Sequence, residues 1–170
     1  MARAYDGFLF LKTRSGGPPA KTVYNLKSGT YYDGSVLRLS ATSGSAIVIA
    51  DGATGILGVS SSYVSTADSL TTPISVYNAD KDNVFKVRMA GGTVPRGVMH
   101  NFCDIVVSTT FNHRIEGTAG AAVSQTRIIG YEDFKQDNQT VVTGKVSATF
   151  VQYHVVFTSN TLFDEGLVTN

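Results

Sequence analysis

The chain has 170 residues, 42% of them hydrophobic and only 16% charged, with a formal net charge of +1. The length fits one domain with a real core, and the near-neutral charge argues against a nucleic-acid binder, which needs a basic stripe for phosphate contacts. Cys103 is the only cysteine, which excludes an internal disulfide and a cysteine-based zinc cluster. No apolar run approaches the ~20 residues of a membrane span, and none resembles a signal peptide. We therefore expect a protein that is made in the cytoplasm and binds neither nucleic acid nor membrane.

The first half of the chain consists of short apolar runs separated by turn residues. Predicted strands cover residues 6–12, 20–26, 36–39, 46–50 and 56–59. Residues 15–19, SGGPP, predict a flexible break, because two Gly and two Pro continue neither a helix nor a strand. The Ser- and Thr-rich residues 60–72 predict a loop or an exposed flap.

Residues 74–89, ISVYNADKDNVFKVRM, alternate with a period of two on either side of a polar turn. Ile74 and Val76 precede the turn, and Phe85, Val87 and Met89 follow it. Asp and Asn hydrogen-bond nearby backbone groups, so the DKDN segment at residues 80–83 favours a type I turn. This pattern predicts a β-hairpin with one buried face and one wet face.

The second half predicts strands at residues 105–108, 111–116, 127–131, 141–151 and 153–157. Short strands with turns every 8 to 12 residues indicate an all-β sandwich or a small barrel. We predict an N-terminal arm with the first strand at 1–19, a barrel or sandwich domain at 20–157, and an extended tail at 158–170. Residues 100–157 form a possible second lobe.

The residues that could carry chemistry show no catalytic or metal-binding pattern. His100, His113 and His154 lack metal-ligand spacing, and the acidic residues fall at turns, where they favour turn geometry. Cys103 begins an apolar run, which favours a buried structural thiol. The sequence therefore predicts no catalytic, cofactor or metal site.

Two adjacent tyrosines, Tyr31 and Tyr32, are candidate contact residues. Neighbours on a strand point to opposite faces of the sheet, so we expect one of the two rings to be exposed. Exposed aromatic rings bind protein partners or sugars, and they also pack over neighbouring loops.

Three segments occur in an informative order: residues 34–40, GSVLRLS; residues 56–59, ILGV; and residues 76–87, VYNADKDNVFKV. In this order and spacing they resemble the head decoration, or cement, proteins of tailed bacteriophages, which are small β-barrel proteins. The resemblance covers about half of the chain, roughly residues 24–89.

The resemblance implies a non-enzymatic virion protein that binds the outer face of the capsid. It would clamp neighbouring major capsid subunits and sit as a homotrimer at three-fold positions. Arg3 and Tyr5 in the N-terminal arm are then candidate contacts, together with Tyr31 and Tyr32. The arm, the break at residues 15–19 and the tail are the segments able to reach a neighbour.

Other functions remain open. Tyr31, Tyr32 and the Ser- and Thr-rich surface also suit a carbohydrate-binding or adhesin-type sandwich. A tail component of the virion and a β-fold esterase or glycosidase are further alternatives, although spacing places no acid/base pair for an enzyme.

Overall fold

A computed structural model describes residues 7–50, 53–67, 71–90, 100, 102–109, 112–116, 125–133 and 151–158. Every regular element in these residues is a β-strand, which confirms the all-β prediction. The strands are β1 (Leu9–Thr13), β2 (Lys21–Asn25), β3 (Gly29–Tyr31), β4 (Val36–Leu39), β5 (Ala46–Val48), β6 (Ile56–Ser60), β7 (Val64–Ala67), β8 (Pro73–Asn78), β9 (Asn83–Arg88), β10 (Phe102–Cys103), β11 (Ile105–Thr109), β12 (Asn112–Ile115), β13 (Thr126–Asp133) and β14 (Val151–Phe157).

Two five-stranded antiparallel sheets form the body in a sandwich-like arrangement. The first sheet has the strand order β1-β9-β14-β13-β10, and the second sheet has the order β2-β8-β6-β4-β5. Two short ribbons, β3–β7 and β11–β12, accompany them. The first sheet joins strands from both ends of the chain, whereas the second sheet uses only residues 21–78.

The main core lies between the two sheets. Phe8, Phe85 and Phe157 form its centre, with ring centroids 5.7 Å apart for Phe8 and Phe157 and 5.4 Å apart for Phe85 and Phe157. Val36 and Val59 reach this core from the second sheet. Fully burying a side chain of this size contributes about 1.5–3 kcal/mol, so the contacts between the sheets are a principal source of stability.

A second core lies on the opposite face of the second sheet, under the β3–β7 ribbon. Leu37, Leu57, Ile74 and Val76 belong to it, and Tyr31 packs on them from β3. The second sheet is therefore covered on both faces. The ribbon corrects the sequence interpretation, because β7 lies within residues 60–72, where a loop or an exposed flap was predicted. Each of these short strands carries a single large or β-branched apolar side chain among small residues, GTY in β3 and VSTA in β7, which gives almost no periodic signal.

A β-bulge in β6 interrupts the regular alternation of its side chains. The register between β4 and β6 shifts after Leu37, so Ile56 and Val59 both face the main core while Leu57 faces the second. Gly58 sits at this bulge with φ of +152°. A Cβ atom at this position would lie 1.9 Å from the backbone oxygen of Tyr77, so only glycine fits.

The predicted hairpin at residues 74–89 is wrong in its pairing, although both of its strands exist. β8 pairs with β2 and β6 in the second sheet, and β9 pairs with β1 and β14 in the first sheet. Residues 80–83 therefore form a corner between two sheets. The two apolar runs face different cores, and a hairpin within one sheet would have placed both on one face.

The corner is held by side-chain hydrogen bonds to the backbone. Asp80 Oδ1 accepts from the backbone N–H groups of Asp82 and Asn83, at 3.0 and 2.7 Å. The buried Asn83 Nδ2 donates to the carbonyl oxygens of Asn78 and Ala20, at 3.0 and 3.2 Å. The turn chemistry predicted from this segment is present, but it redirects the chain to another layer.

A buried glutamine connects distant parts of the fold. Gln125 is 0% exposed, and its Oε1 accepts from the backbone N–H of Ile105 at 2.6 Å. Its Nε2 donates to the carbonyl oxygen of Ala53 at 2.5 Å, and its own carbonyl accepts from Thr158 at 3.1 Å. One side chain thus joins β11 to the segment that leads into β6.

Strand β1, from the predicted segment 1–19, pairs with β9 of the predicted domain at 20–157. β1 is the edge strand of the first sheet, so residues 9–13 belong to the body. β10, β13 and β14 complete the same sheet, so the described part of 100–157 joins the N-terminal half in one structure. Residues 1–6 of the predicted segment 1–19, most of the predicted strand at 141–151 and nearly all of the predicted tail lie outside the described residues.

Candidate functional site

The structure separates the two candidate tyrosines. Tyr31 is 3% exposed, and its hydroxyl lies 2.7 Å from the carbonyl oxygen of Lys27 and 3.1 Å from that of Ala46, to which it donates. Burial raises the pKa of Tyr31, so the phenol stays protonated. This ring serves the second core and offers no contact surface in the folded chain. Tyr32, the next residue, is only half-buried.

A second tyrosine, which sequence reasoning missed, lies beside Tyr32. The ribbon pairs Tyr31 with Val64, which brings Tyr32 and Tyr63 next to each other at one end. Their ring centroids are 5.3 Å apart with a tilt of 51°, and Tyr63 is 44% exposed. We call these two residues the tyrosine patch. Only the pairing of β3 with β7 could have revealed it, because the two tyrosines are far apart in the sequence.

The patch is held in place by the second sheet. The hydroxyl of the buried Ser60 donates to the carbonyl oxygen of Tyr32. Desolvation, followed by the neighbouring Tyr63, raises the pKa of Tyr32, so the ring carries no charge at neutral pH. Thr30, Ser62 and Ser65, each within two positions of Tyr32 or Tyr63 in the sequence, are exposed, and the Thr30 hydroxyl donates to the Ser65 carbonyl oxygen at 2.9 Å. The patch is thus an aromatic surface with a polar rim, as found at contact sites for proteins and sugars.

The arm residues Arg3 and Tyr5 lie outside the described residues, so their predicted contact role stays a prediction. The three histidines lie at separate places. His100 is exposed in a left-handed turn with φ of +69°, and His154 lies on β14 opposite Lys86. His113 is buried, and its Nδ1 accepts from the backbone N–H of Val36 at 3.4 Å. Within the described ranges, no three His, Cys, Asp or Glu side chains form a metal-binding group.

Cys103 is buried, as predicted. Burial and then the nearby carboxylates of Asp104 and Glu116 raise its thiol pKa to about 11. A thiol in such surroundings stays protonated and unreactive at neutral pH.

The segment that was predicted to be a flexible break is tied to the corner between the sheets. Ser15 donates to Asp82 twice, from its N–H to Oδ1 at 2.8 Å and from its hydroxyl to Oδ2 at 2.7 Å. The backbone N–H of Arg14 donates to the Asp82 carbonyl at 2.8 Å, and the Thr13 hydroxyl donates to Gly17 O at 2.6 Å. These bonds fix the connection between β1 and β2, so it is not a loose reaching segment.

The Ser15–Asp82 contact predicts a pH-dependent stability. The Ser15 hydroxyl, then the Ser15 N–H, lowers the pKa of Asp82 below its ordinary value of 3.8. A carboxyl group whose pKa is lower in the folded state than in the unfolded state stabilises the fold at pH values above its unfolded-state pKa. This contribution is lost as the pH falls through its folded-state pKa. We expect Asp82→Asn to lower the unfolding temperature at pH 7, and the difference from the parent to shrink steadily below about pH 4.

Thermal unfolding of parent and variant across this pH range measures the effect. Ser15→Ala is the matched control, because it removes the hydroxyl and keeps the backbone donor, and we expect a smaller difference. A gap between parent and Asp82→Asn that is as large at pH 2 as at pH 7 would contradict the assignment.

No family model, no curated protein sequence and no solved structure matches this chain. In the part of the chain that the structure describes, no helix is long and apolar enough to span a membrane.

Proposed function

We propose that this chain is a non-enzymatic structural protein of a virion. It binds the outer surface of the capsid as a homotrimer and cements neighbouring major capsid subunits. The observation that carries the proposal is the order of the segments at residues 34–40, 56–59 and 76–87, which is similar to that of bacteriophage head decoration proteins. These segments supply β4, β6, β8 and β9, which belong to the two sheets of the body.

The tyrosine patch is the described surface best suited to the contact. Two adjacent, uncharged rings at the end of a ribbon supply large contact area and lose little side-chain entropy on binding. Many copies repeated over a shell add their contacts by multivalency, so each contact needs only modest affinity. This gives a docking surface on the body of the protein, beside any contact that Arg3 and Tyr5 make from the arm.

Shell binding tests the proposal. We expect the purified protein to co-sediment with expanded shells of its virus, not with immature ones, and to raise their thermal unfolding temperature, because a ligand of the assembled state stabilises it. Tyr63→Ala should weaken binding by roughly 30-fold, which corresponds to a hot-spot loss of about 2 kcal/mol.

Tyr131→Ala is the matched control. Tyr131 is a tyrosine of similar exposure, 58%, on β13 of the first sheet, and its removal should leave shell binding unchanged. Absence of binding to any shell of the virus would refute the proposed function. Equal losses in the two variants would show that the patch is not the docking surface.

The tyrosine patch also supports a second candidate, a carbohydrate-binding module. Aromatic rings stack on sugar faces, and the exposed neighbours Thr30, Ser62 and Ser65 carry hydroxyl groups that can donate to and accept from sugar hydroxyls. A glycan array separates the two candidates. Binding to a glycan that is lost in Tyr63→Ala, with no binding to shells, would favour the carbohydrate module.

A further inference from the structure

One edge of the second sheet lacks the usual protection against pairing with another chain. β2 pairs with β8 over five consecutive residues without a register shift, and it contains no proline. Among the other described sheet edges, β1 has a register shift, β5 has three residues and β10 has two. Bulges and short edge strands are common devices against edge-to-edge association. Of these four edges, β2 is therefore the open one over residues 21–24, before Leu26 bridges Ala46 of β5.

The hydrogen bonds around β2 show which backbone groups face outward. Asn78 N–H donates to Ala20 O at 3.0 Å, and Leu26 N–H donates to Thr72 O at 2.9 Å. Bonding alternates along an antiparallel ladder, so the even-numbered residues between these points bond β8. Lys21 and Val23 then direct their N–H and C=O groups away from the sheet, and both residues are exposed, Val23 by 65%. The end of β2 is covered by β5, because Leu26 bridges Ala46 and the Lys27 N–H donates to Ala46 O at 3.1 Å.

Lys21 does not protect this edge against pairing with another strand. Lys side chains often protect an edge strand by projecting charge into the space that a new strand would occupy. Here the Lys21 ammonium lies 4.2 Å from the ring centroid of Tyr77, on the neighbouring strand β8. The charge is folded back over its own sheet, which leaves the backbone groups of β2 accessible.

The positive charge around β2 indicates that its partner is acidic. Residues 7–29 carry four cations, all exposed, and no Asp or Glu; they are Lys12, Arg14, Lys21 and Lys27. The edges β1 and β2 lie on the same side of the body, because the Phe10 ring of β1 stacks on Tyr77 of β8 at 4.5 Å. A second copy of this edge would bring like charges together, whereas an acidic strand would be attracted.

We propose that β2 is a docking edge for an extended, acidic segment of a partner protein, which adds to the second sheet as a sixth strand. The outward groups of Lys21 and Val23 supply the main-chain hydrogen bonds, Val23 supplies apolar contact, and the cations Lys12, Lys21 and Lys27 select the charge of the partner. As a docking edge for a capsid subunit the inference rests on the proposed function. The chemistry of the edge can be tested without a capsid.

Selection from a random peptide library, with the full chain immobilised, tests the edge. We expect enriched peptides to be acidic and poor in proline, and to slow amide exchange at Lys21 and Val23 but not at Thr22 and Tyr24, which already bond β8. Val23→Pro removes an N–H that bonds nothing within the sheet, and edge strands tolerate proline at such positions. It should weaken peptide binding about tenfold, the value of one good hydrogen bond.

Val23→Thr retains the N–H and is the matched control, with binding close to that of the parent. If Val23→Pro does not fold, amide exchange in the parent chain is sufficient to test the proposal.

Peptides without acidic bias, or protection at other amides, would overturn the proposal. Self-association of the chain that Val23→Pro abolishes would also overturn it and assign the edge to a second copy. Acidic peptides on β2 without shell binding would refute only the proposed function.

Discussion

Gly58→Ala is expected to destabilise the protein more than any other single-methyl addition among the described glycines. The new Cβ would lie 1.9 Å from the backbone oxygen of Tyr77, and φ of +152° is unfavourable for alanine. Strained backbone costs about 1–3 kcal/mol and overpacking costs a similar amount, so we expect a loss of about 4 kcal/mol in the free energy of unfolding. For a chain of this size that lowers the unfolding temperature by roughly 10 °C.

Chemical denaturation of parent and variant measures this loss. Gly17→Ala is the matched control, because the nearest atom to its added Cβ is the Ser15 hydroxyl oxygen at an ordinary 3.6 Å. We expect its free energy of unfolding to change by less than about 0.5 kcal/mol, as for most surface substitutions. A Gly58→Ala variant as stable as Gly17→Ala would mean that β6 does not pass β8 as closely as described.

Gln125→Ala is expected to be the second most damaging change. It leaves the buried N–H of Ile105 without its acceptor and the carbonyl of Ala53 without its donor. A buried polar group without a hydrogen-bond partner destabilises the fold by about 1–3 kcal/mol. The Ala53 carbonyl contributes less to this loss, because its hydrogen bond to Gln125 is only partly buried. Together with the loss of packing we expect a loss of about 3 kcal/mol in the free energy of unfolding.

Gln125→Glu separates the two bonds. The carboxylate can still accept from Ile105, but it cannot donate to Ala53 unless it is protonated, so its stability should improve as the pH is lowered. Gln152→Ala, at a half-buried glutamine of β14, controls for loss of a glutamine side chain and should cost less than about 0.5 kcal/mol. Urea unfolding that gives equal losses for Gln125→Ala and Gln152→Ala would contradict the bridging role.

Local pattern was enough to predict the fold class and most strands. The period of two in residues 74–89 located β8 and β9, and the runs at 36–39, 46–50 and 56–59 located β4, β5 and β6. Side-chain alternation is a local property of each strand, which is why it can be read without knowing the fold.

Pairing could not be predicted in this way. Residues 80–83 have the chemistry of a turn, and that chemistry is the same for a hairpin and for a corner between sheets. The choice is made by partners far along the chain: β2 and β6 for β8, and β1 and β14 for β9. The alternation of side chains along one strand does not identify the strands that pair with it. The hairpin was therefore the simpler interpretation, and it was incorrect.

The same limit applies to the candidate site. Adjacent strand positions predicted that Tyr31 and Tyr32 point to different faces, and one is indeed buried while the other is half-exposed. Which of them faces out depends on β3 lying over the second core, and that strand gave no periodic signal. Tyr63 joins Tyr32 only through the β3–β7 pairing.

The placement of β14 has a consequence for how the protein is made. β14 lies between β9 and β13 in the first sheet. During synthesis β9 therefore cannot pair with β14 until residues 151–157 have left the ribosome. The second sheet needs only residues 21–78 and can assemble much earlier during synthesis. Until then Phe85 lacks its contact with Phe157, and the nascent chain carries an incomplete apolar layer. Translation pauses before residue 151 would lengthen the period in which this layer can associate with other chains.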